Sequence, residues 1–259
     1  MLYGIYNTKW RNPLFLLKKN TIFDKITIGG NMQDLSRLEL IIDKEKINKI
    51  KEKNIFLIGL GGVGGYTFET LIRSGIESIT IVDGDTFEES NLNRQVLSLK
   101  ENINRNKTDV AEERALKINP NAKITKITKL LDKENINEID FKKFDYVIDA
   151  CDTIEVKKQL IRICTKNNIK LIACMGTGNK MNPGMLEITD LSKTSYDPIA
   201  KILRKYVKDE KINKKIKVVA SKETPIKTNS KTIGSNAFVP GVAGMLLTSY
   251  IINDIVGEV

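Results

Sequence analysis

One stretch limits the folds open to this chain more than any other. It runs Ile55-Phe56-Leu57-Ile58-Gly59-Leu60-Gly61-Gly62-Val63-Gly64 and leads, after a mixed segment, to Ile79-Thr80-Ile81-Val82-Asp83. An apolar run, a glycine cluster, an amphipathic segment and a second apolar run ending in an acid predict strand, tight turn, helix, strand. Gly59, Gly61 and Gly64 fit G-x-G-x-x-G, with Gly62 beside them. In that pattern the first glycine permits the turn, the second lets a phosphate approach the backbone, and the third packs helix on strand. The following helix N-terminus offers free N–H groups and partial positive charge to an anion. Asp83 stands 19 residues after Gly64, where an acceptor for ribose hydroxyls is expected. A glycine turn without a ligand is the bland alternative. The strand context and the placed acid favour a nucleotide, without saying which one.

Around this unit the pattern alternates. Strands are predicted at 54–59, 78–83, 123–128, 144–149 and 169–174, and helices at 63–74, 107–119 and 153–167. Alternating units of this kind imply an α/β fold, a Rossmann-like, mostly parallel sheet with helices on both faces. Upstream, Leu35, Leu38, Ile41, Ile42, Ile47 and Ile50 recur at helical spacing. After Gly176 the pattern changes to a C-terminal β-containing extension, with strands at 185–189 and 216–219 around a basic helical segment at 197–210. The apolar run from Phe238 to Val256 is marginal as a membrane span and is expected to be a buried helix packed on the sheet. Residues 1–31 show no sustained period, and the expectation is an extension upstream of a natural start at Met32.

The chain has no histidine, which excludes His general bases and His metal ligands. Cys151, Cys164 and Cys174 form no C-x-x-C pair. Neither a disulfide framework nor a four-thiolate zinc site is expected, and a cytoplasmic location fits. Chemistry must rest on Asp, Glu, Lys, Arg, Asn, backbone groups or a hard metal ion. The net charge of +10 is uneven, because residues 201–231 alone carry eleven Lys/Arg against three acids. Such a surface suits a polyanion, with Lys201, Arg204, Lys205, Lys208, Lys214 and Lys215 as candidate phosphate contacts. A Lys-, Ile- and Asn-rich composition is the bland alternative.

A second group of residues lies where the strands are predicted to end. Asp83, Asp85, Asn91, Asn93, Arg94 and Gln95 follow the second strand, Lys107 opens a helix, and Asp149 and Asp152 follow 144–149. In an open parallel sheet, ligands bind at that edge. Arg94 can clamp phosphate oxygens with a planar fork, and Lys107 adds a charge beside a triphosphate. A carboxylate at 149 or 152 suits Mg2+, which takes oxygen ligands and shares phosphates. Ribose acceptor, phosphate clamp, cation and metal ligand together fit a nucleoside triphosphate whose phosphates do the chemistry.

Gly59-x-Gly61-Gly62-x-Gly64, Val82-Asp83-x-Asp85, Asn91-x-Asn93-Arg94-Gln95, Lys107 and Asp149-x-x-Asp152 resemble the ThiF/MoeB/HesA superfamily of ubiquitin-activating-enzyme-like adenylating proteins. The match runs from about Ser36 to the C-terminus. It implies adenylation of a carboxylate with ATP and Mg2+. The resemblance puts the nucleotide on the glycines, Asp83 and Asp85, the phosphates on Asn93, Arg94 and Lys107, and Mg2+ on Asp152. Arg37, in Ser36-Arg37-Leu38-Glu39-Leu40, is similar to the family arginine that reaches the partner subunit's ATP, which implies a homodimer. Arg94, Lys107, Asp152 and Arg37 are then the implied catalytic residues.

Superfamily members that activate sulfur carriers usually have two C-x-x-C zinc pairs, which are absent here. Asp190-Leu191-Ser192-Lys193-Thr194-x-x-Asp197-Pro198, Lys201-x-Leu203-Arg204, Ser221-x-Glu223 and Gly234-Ser235-x-x-Phe238-Val239-Pro240-Gly241-Val242-Ala243-Gly244 resemble the tRNA threonylcarbamoyladenosine dehydratase branch. That branch implies tRNA as partner, cyclisation of a modified adenosine beside the anticodon, and a monovalent cation whose ligands carry no signature here. Some members have a cysteine just before Ser-x-Glu. Val218, Val219 and Ala220 stand there in this chain, which speaks against sulfur-relay proteins as partners. The implied organisation is one adenylating domain over 32–259, with a nucleotide-binding core at 54–175 and a substrate, tRNA and dimer region at 176–259. Three alternatives stay open. One is activation of a ubiquitin-like or sulfur-carrier protein C-terminus, and another is a non-catalytic nucleotide sensor. The third is an NAD-dependent oxidoreductase, against which Arg94, Lys107 and Asp152 argue.

Overall fold

The computed structural model describes residues 33–257, so the expectation for residues 1–31 lies outside the described residues. Among the described residues, seven strands form one sheet: β1 (Asn54–Ile58), β2 (Ser78–Val82), β3 (Lys123–Ile127), β4 (Tyr146–Asp149), β5 (Lys170–Cys174), β6 (Leu186–Asp190) and β7 (Lys217–Ser221). Their order is β3-β2-β1-β4-β5-β7-β6. All neighbours are parallel except β6 on β7. The C-terminal extension therefore continues the same sheet, because the apolar strand β7 covers the edge of β5 that would otherwise stay unpaired. The chain turns in opposite directions from β1 to β2 and from β1 to β4, which places the topological switch point beside β1.

Residues along β1 alternate between two cores. Ile55 and Leu57 face the layer of α2 (Lys44–Lys51), α3 (Gly64–Arg73), α4 (Lys107–Ile118) and α7 (Phe238–Val256). Phe56 and Ile58 face α5 (Ile154–Asn167), and α6 (Pro198–Asp209) covers the same face beside it. Both faces are buried over β1, β2 and β4, so these strands read as near-continuous apolar runs.

Two predicted elements differ from the structure. The upstream helical pattern breaks into α1 (Ser36–Glu39) and α2, because Asp43 caps α2 by accepting from the Lys46 N–H and leaves Leu40 and Ile41 exposed. The strand expected from Phe144 starts at Tyr146. Phe141–Lys143 form a tight turn capped by Asp140, and the Phe144 ring packs 5.1 Å from Phe56. The run from Phe238 to Val256 is a core-packed helix as expected: α7 is long and apolar enough to cross a membrane, yet half of it is buried inside the protein. A Cβ on Gly244 would lie 2.4 Å from the Val63 carbonyl oxygen, so only glycine lets α7 cross α3 this closely.

Candidate active site

The glycine turn divides into sealed and open positions. Gly59 has φ +88°, and a Cβ there would sit 2.6 Å from the Ala150 carbonyl oxygen. A Cβ on Gly64 would overlap the Gly59 carbonyl oxygen at 1.7 Å. These two glycines join β1, α3 and the end of β4. Gly61 is different, since the nearest atom to its would-be Cβ is Gln95 Nε2 at 3.9 Å. The open face at Gly61 is the approach that a phosphate needs. Gln95 is buried beside it, and its Oε1 has no hydrogen-bond partner among the described residues.

Asp83 holds the turn. Its Oδ2 accepts from the Leu60 N–H at 2.7 Å and its Oδ1 from the Asp85 N–H at 2.9 Å. Burial pushes its carboxyl up from the usual range, opposed by the Lys107 ammonium and by those two amides. Lys107 Nζ donates to Asp85 Oδ2 at 2.9 Å and lies 3.9 Å from Asp83 Oδ1. Arg94 runs past Gly62, its Cγ 3.6 Å from the position of a Cβ there. Its guanidinium donates to the Ser90 carbonyl at 2.6 Å and to Asn93 Oδ1 at 2.9 Å. Asn93 in turn donates to the Ser235 carbonyl at 3.1 Å, tying the segment before α7 to this edge. Gly59, Gly61, Gly62, Gly64, Asp83, Asp85, Asn93, Arg94 and Lys107 thus converge on the carboxyl edge of β1 and β2.

Two carboxylates follow β4, and the structure separates them. Asp149 accepts from the buried Lys157 ammonium at 3.1 Å and from the Cys151 N–H at 3.2 Å. Lys157 also donates to the Cys174 carbonyl at 2.8 Å. This pair is closed to a metal ion, so Asp149 falls away as a Mg2+ ligand. Asp152 is exposed. No group of three or more acidic, Cys or His side chains is arranged for a metal among the described residues. One carboxylate fits an ion that takes most of its ligands from substrate phosphates and water. The cysteines stay protonated at neutral pH. Burial, with Asp149 adding to it, raises the Cys151 thiol well above its ordinary value, and burial pushes Cys164 and Cys174 up to about 12.

Arg37 follows a segment that is anchored away from this edge. Gln33 donates to the Ile72 carbonyl at 3.1 Å, which anchors the segment before α1 at the C-terminal end of α3. The glycine turn is at the other end of that helix, about 15 Å away. The basic stretch also divides. At the carboxyl edge, Asp197 accepts from the Gly176 N–H and caps α6 through the Ala200 N–H, both at 2.8 Å. Lys201, Lys205 and Lys208 are exposed along α6. Arg204 reaches back to the Thr194 carbonyl at 3.0 Å and to its hydroxyl, so it also clasps the strap before α6. Lys214 donates to Asn168 Oδ1 at 2.9 Å, and Lys215 is exposed.

Sequence reading missed three groups near the edge. Lys157 seals Asp149, Lys180 donates to the Gly176 carbonyl at 2.7 Å, and Glu223 accepts from the Met181 and Asn182 N–H groups. For Lys157 a signal existed, because it stands at helical spacing with Ile161 and Cys164 on the buried face of α5.

A glycine turn at a switch point, with an acid, an arginine and a lysine gathered on its phosphate side, defines an α/β nucleotide-binding protein. A profile of the ThiF family matches residues 34–257, and the chain belongs to that family. It is 35% identical over 245 residues to the tRNA threonylcarbamoyladenosine dehydratase of Bacillus subtilis (strain 168), covering 88% of this chain and 96% of that protein. The protein of the same name from Escherichia coli (strain K12) is 36% identical over 159 residues, 61% of this chain and 59% of that one. The fold superposes with a TM-score of 0.81 on the structure of E. coli TcdA in complex with ATP, at 28% identity over 86% of this chain and 94% of that one.

Proposed function

We propose that this chain is an ATP-dependent dehydratase that cyclises N6-threonylcarbamoyladenosine in tRNA. The near-full-length relationship to the B. subtilis dehydratase carries this reading. ATP supplies the activation: a threonyl carboxylate oxygen bonds to the α-phosphorus and pyrophosphate leaves. An atom of the neighbouring urea then attacks the activated carbonyl, AMP departs, and the ring closes with net loss of one water. The nucleophile is intramolecular, so its effective molarity is on the order of 10⁵ M or more. No thiolate is needed, in keeping with the protonated cysteines.

The chain's own residues bind, neutralise and exclude water. Backbone N–H groups at the open face of Gly61 receive phosphate oxygens, and Asp83 holds the turn while accepting from the ribose. Lys107 exchanges the exposed Asp85 for phosphate, and Arg94 exchanges Ser90 and Asn93. Asp152 would hold Mg2+, which would supply charge neutralisation at the substrate phosphates. Because the segment before Arg37 is anchored a helix length from its own turn, Arg37 serves the site of the second copy in a homodimer. The outward lysines of α6 take the tRNA backbone, and the reaction belongs in the cytoplasm.

The decisive experiment incubates the protein with ATP, Mg2+ and threonylcarbamoylated tRNA and weighs the nucleosides. Loss of one water per AMP released is expected. An unchanged nucleoside, with pyrophosphate exchange stimulated by a small carrier protein in place of tRNA, overturns the proposal.

A further inference from the structure

Two grooves flank residues 212–214. One, of about 610 Å³, has Ile212 and Ile216 in its floor and Lys208, Lys211 and Lys215 on its rim. The other, of about 380 Å³, lies between that segment and Arg162 and Lys166 of α5. Lys214 lines both, and Glu210 is the one acid among their lining residues.

Their place in the fold sets them apart from the active site. β7 starts at Lys217, beside the end of β6, and the Leu191 N–H donates to the Ile216 carbonyl at 2.8 Å. β7, β5, β4 and β1 are parallel in succession, so this is the amino edge of the sheet, whereas the glycine turn follows the carboxyl end of β1. One five-residue strand spans about 17 Å and three strand spacings about 14 Å, which puts the grooves about 20 Å from the turn. α6 connects the two edges, with Lys201 and Lys205 exposed along the way.

Lys211 adds an independent observation. It ends α6 with φ +52°, the left-handed position where glycine or asparagine is usual. Its N–H donates to the Lys208 carbonyl, and the next N–H reaches back to Val207, so the helix end is well formed. A lysine held there keeps charge on the rim against backbone preference.

We infer that these grooves grip the phosphate backbone of the substrate tRNA at a part of the molecule remote from the nucleoside that reacts. The inference rests on the tRNA reading of the active site. Cations around an apolar floor, with a single acid, match a polyanion. The lysines of α6 make a continuous track from the reacting edge. A trinucleotide centred on the reacting nucleoside can fill the active site without reaching grooves about 20 Å away, whereas a whole tRNA reaches both.

The test compares these two RNAs, each carrying the threonylcarbamoyl nucleoside. In K166Q/K211N, KM for whole tRNA rises about tenfold and the slope of log affinity against log salt becomes shallower by about 1.8, at roughly 0.9 for each phosphate no longer neutralised. KM for the trinucleotide stays as in the wild type. K211N alone melts no lower than the wild type, because asparagine suits the left-handed backbone, and this separates lost affinity from unfolding. Equal losses on both RNAs, no change on whole tRNA, or a changed oligomeric state with unchanged tRNA affinity each overturn the inference. If the wild type dehydrates neither RNA, the proposed function fails. The grooves are then judged by the salt slope of whole-tRNA binding alone, and an unchanged slope in K166Q/K211N overturns them.

Discussion

The ends of β2 and β4 carry the same two residue types in nearly the same geometry. Lys107 lies 2.9 Å from Asp85, and Lys157 lies 3.1 Å from Asp149. They differ in access to water, since the Asp85 side chain is 55% exposed while both members of the second pair are 1% exposed. Lys107 can leave Asp85 to the solvent and take a phosphate at little cost. Lys157 has no such freedom. Burial alone would lower its ammonium pKa, but the facing Asp149 carboxylate carries it above the ordinary value, and the Cys174 carbonyl completes its shell. The sealed pair fastens β4 to β5 and fixes the turn at Ala150, against which Gly59 packs. The open pair stands ready for a ligand. In the proposed nucleotide site, then, a buried charge pair builds the cradle and a half-exposed one is placed to work in it.

Removing the sealed cation should do the most damage. Lys157→Met leaves Asp149 buried and unpaired and is expected to cost about 3–5 kcal/mol of stability, whereas the double variant K157M/D149L recovers most of it. Denaturant melts measure both, and activity should follow the folded fraction. A stable K157M protein without activity would break the contrast between the two pairs. Lys107→Met should act on chemistry. A loss of about 10²–10³-fold in kcat/KM is expected, as for removal of one group that stabilises developing charge, with a smaller shift in the melt than for Lys157→Met, because water can reach Asp85 and two backbone N–H groups still hold Asp83. Gly61→Ala sharpens the contrast at the turn itself. Its Cβ meets nothing closer than 3.9 Å, so the melt should stay within about 0.5 kcal/mol of wild type. KM for ATP should rise about tenfold, the effect of some 1.4 kcal/mol. Isothermal titration with ATP reads this effect directly, and unchanged affinity would remove Gly61 from the cradle.

Most of the α/β framework was legible because its signals are local. Apolar runs and helical spacing located β1 to β5 and α3 to α5 to within a few residues, and the glycine spacing announced a strand–turn–helix that the φ of Gly59 bears out. Boundaries failed where a cap or an aromatic cluster intervened, as at Asp43 and Phe144. The candidate site was legible as a set of residue types, but not in the division of labour among them. Asp149 and Asp152 are equivalent in sequence. They part company because Lys157, a turn of helix later, swings back onto one of them. The run of bases from 201 to 231 looks like one patch on paper. In the fold α6 carries it from one sheet edge to the other, and Arg204 clasps Thr194.

By itself, the sequence determined the α/β class, the phosphate-binding turn and a chemistry without histidine, because periodicity, backbone sterics and residue inventory are properties of short stretches. Only the tertiary structure decided which charges are sealed, which face water, and which end of the sheet each base occupies. Burial and pairing depend on groups far apart in the chain, and a carboxylate becomes a structural anchor or a ligand-facing group according to what the folded neighbours leave of its access to water.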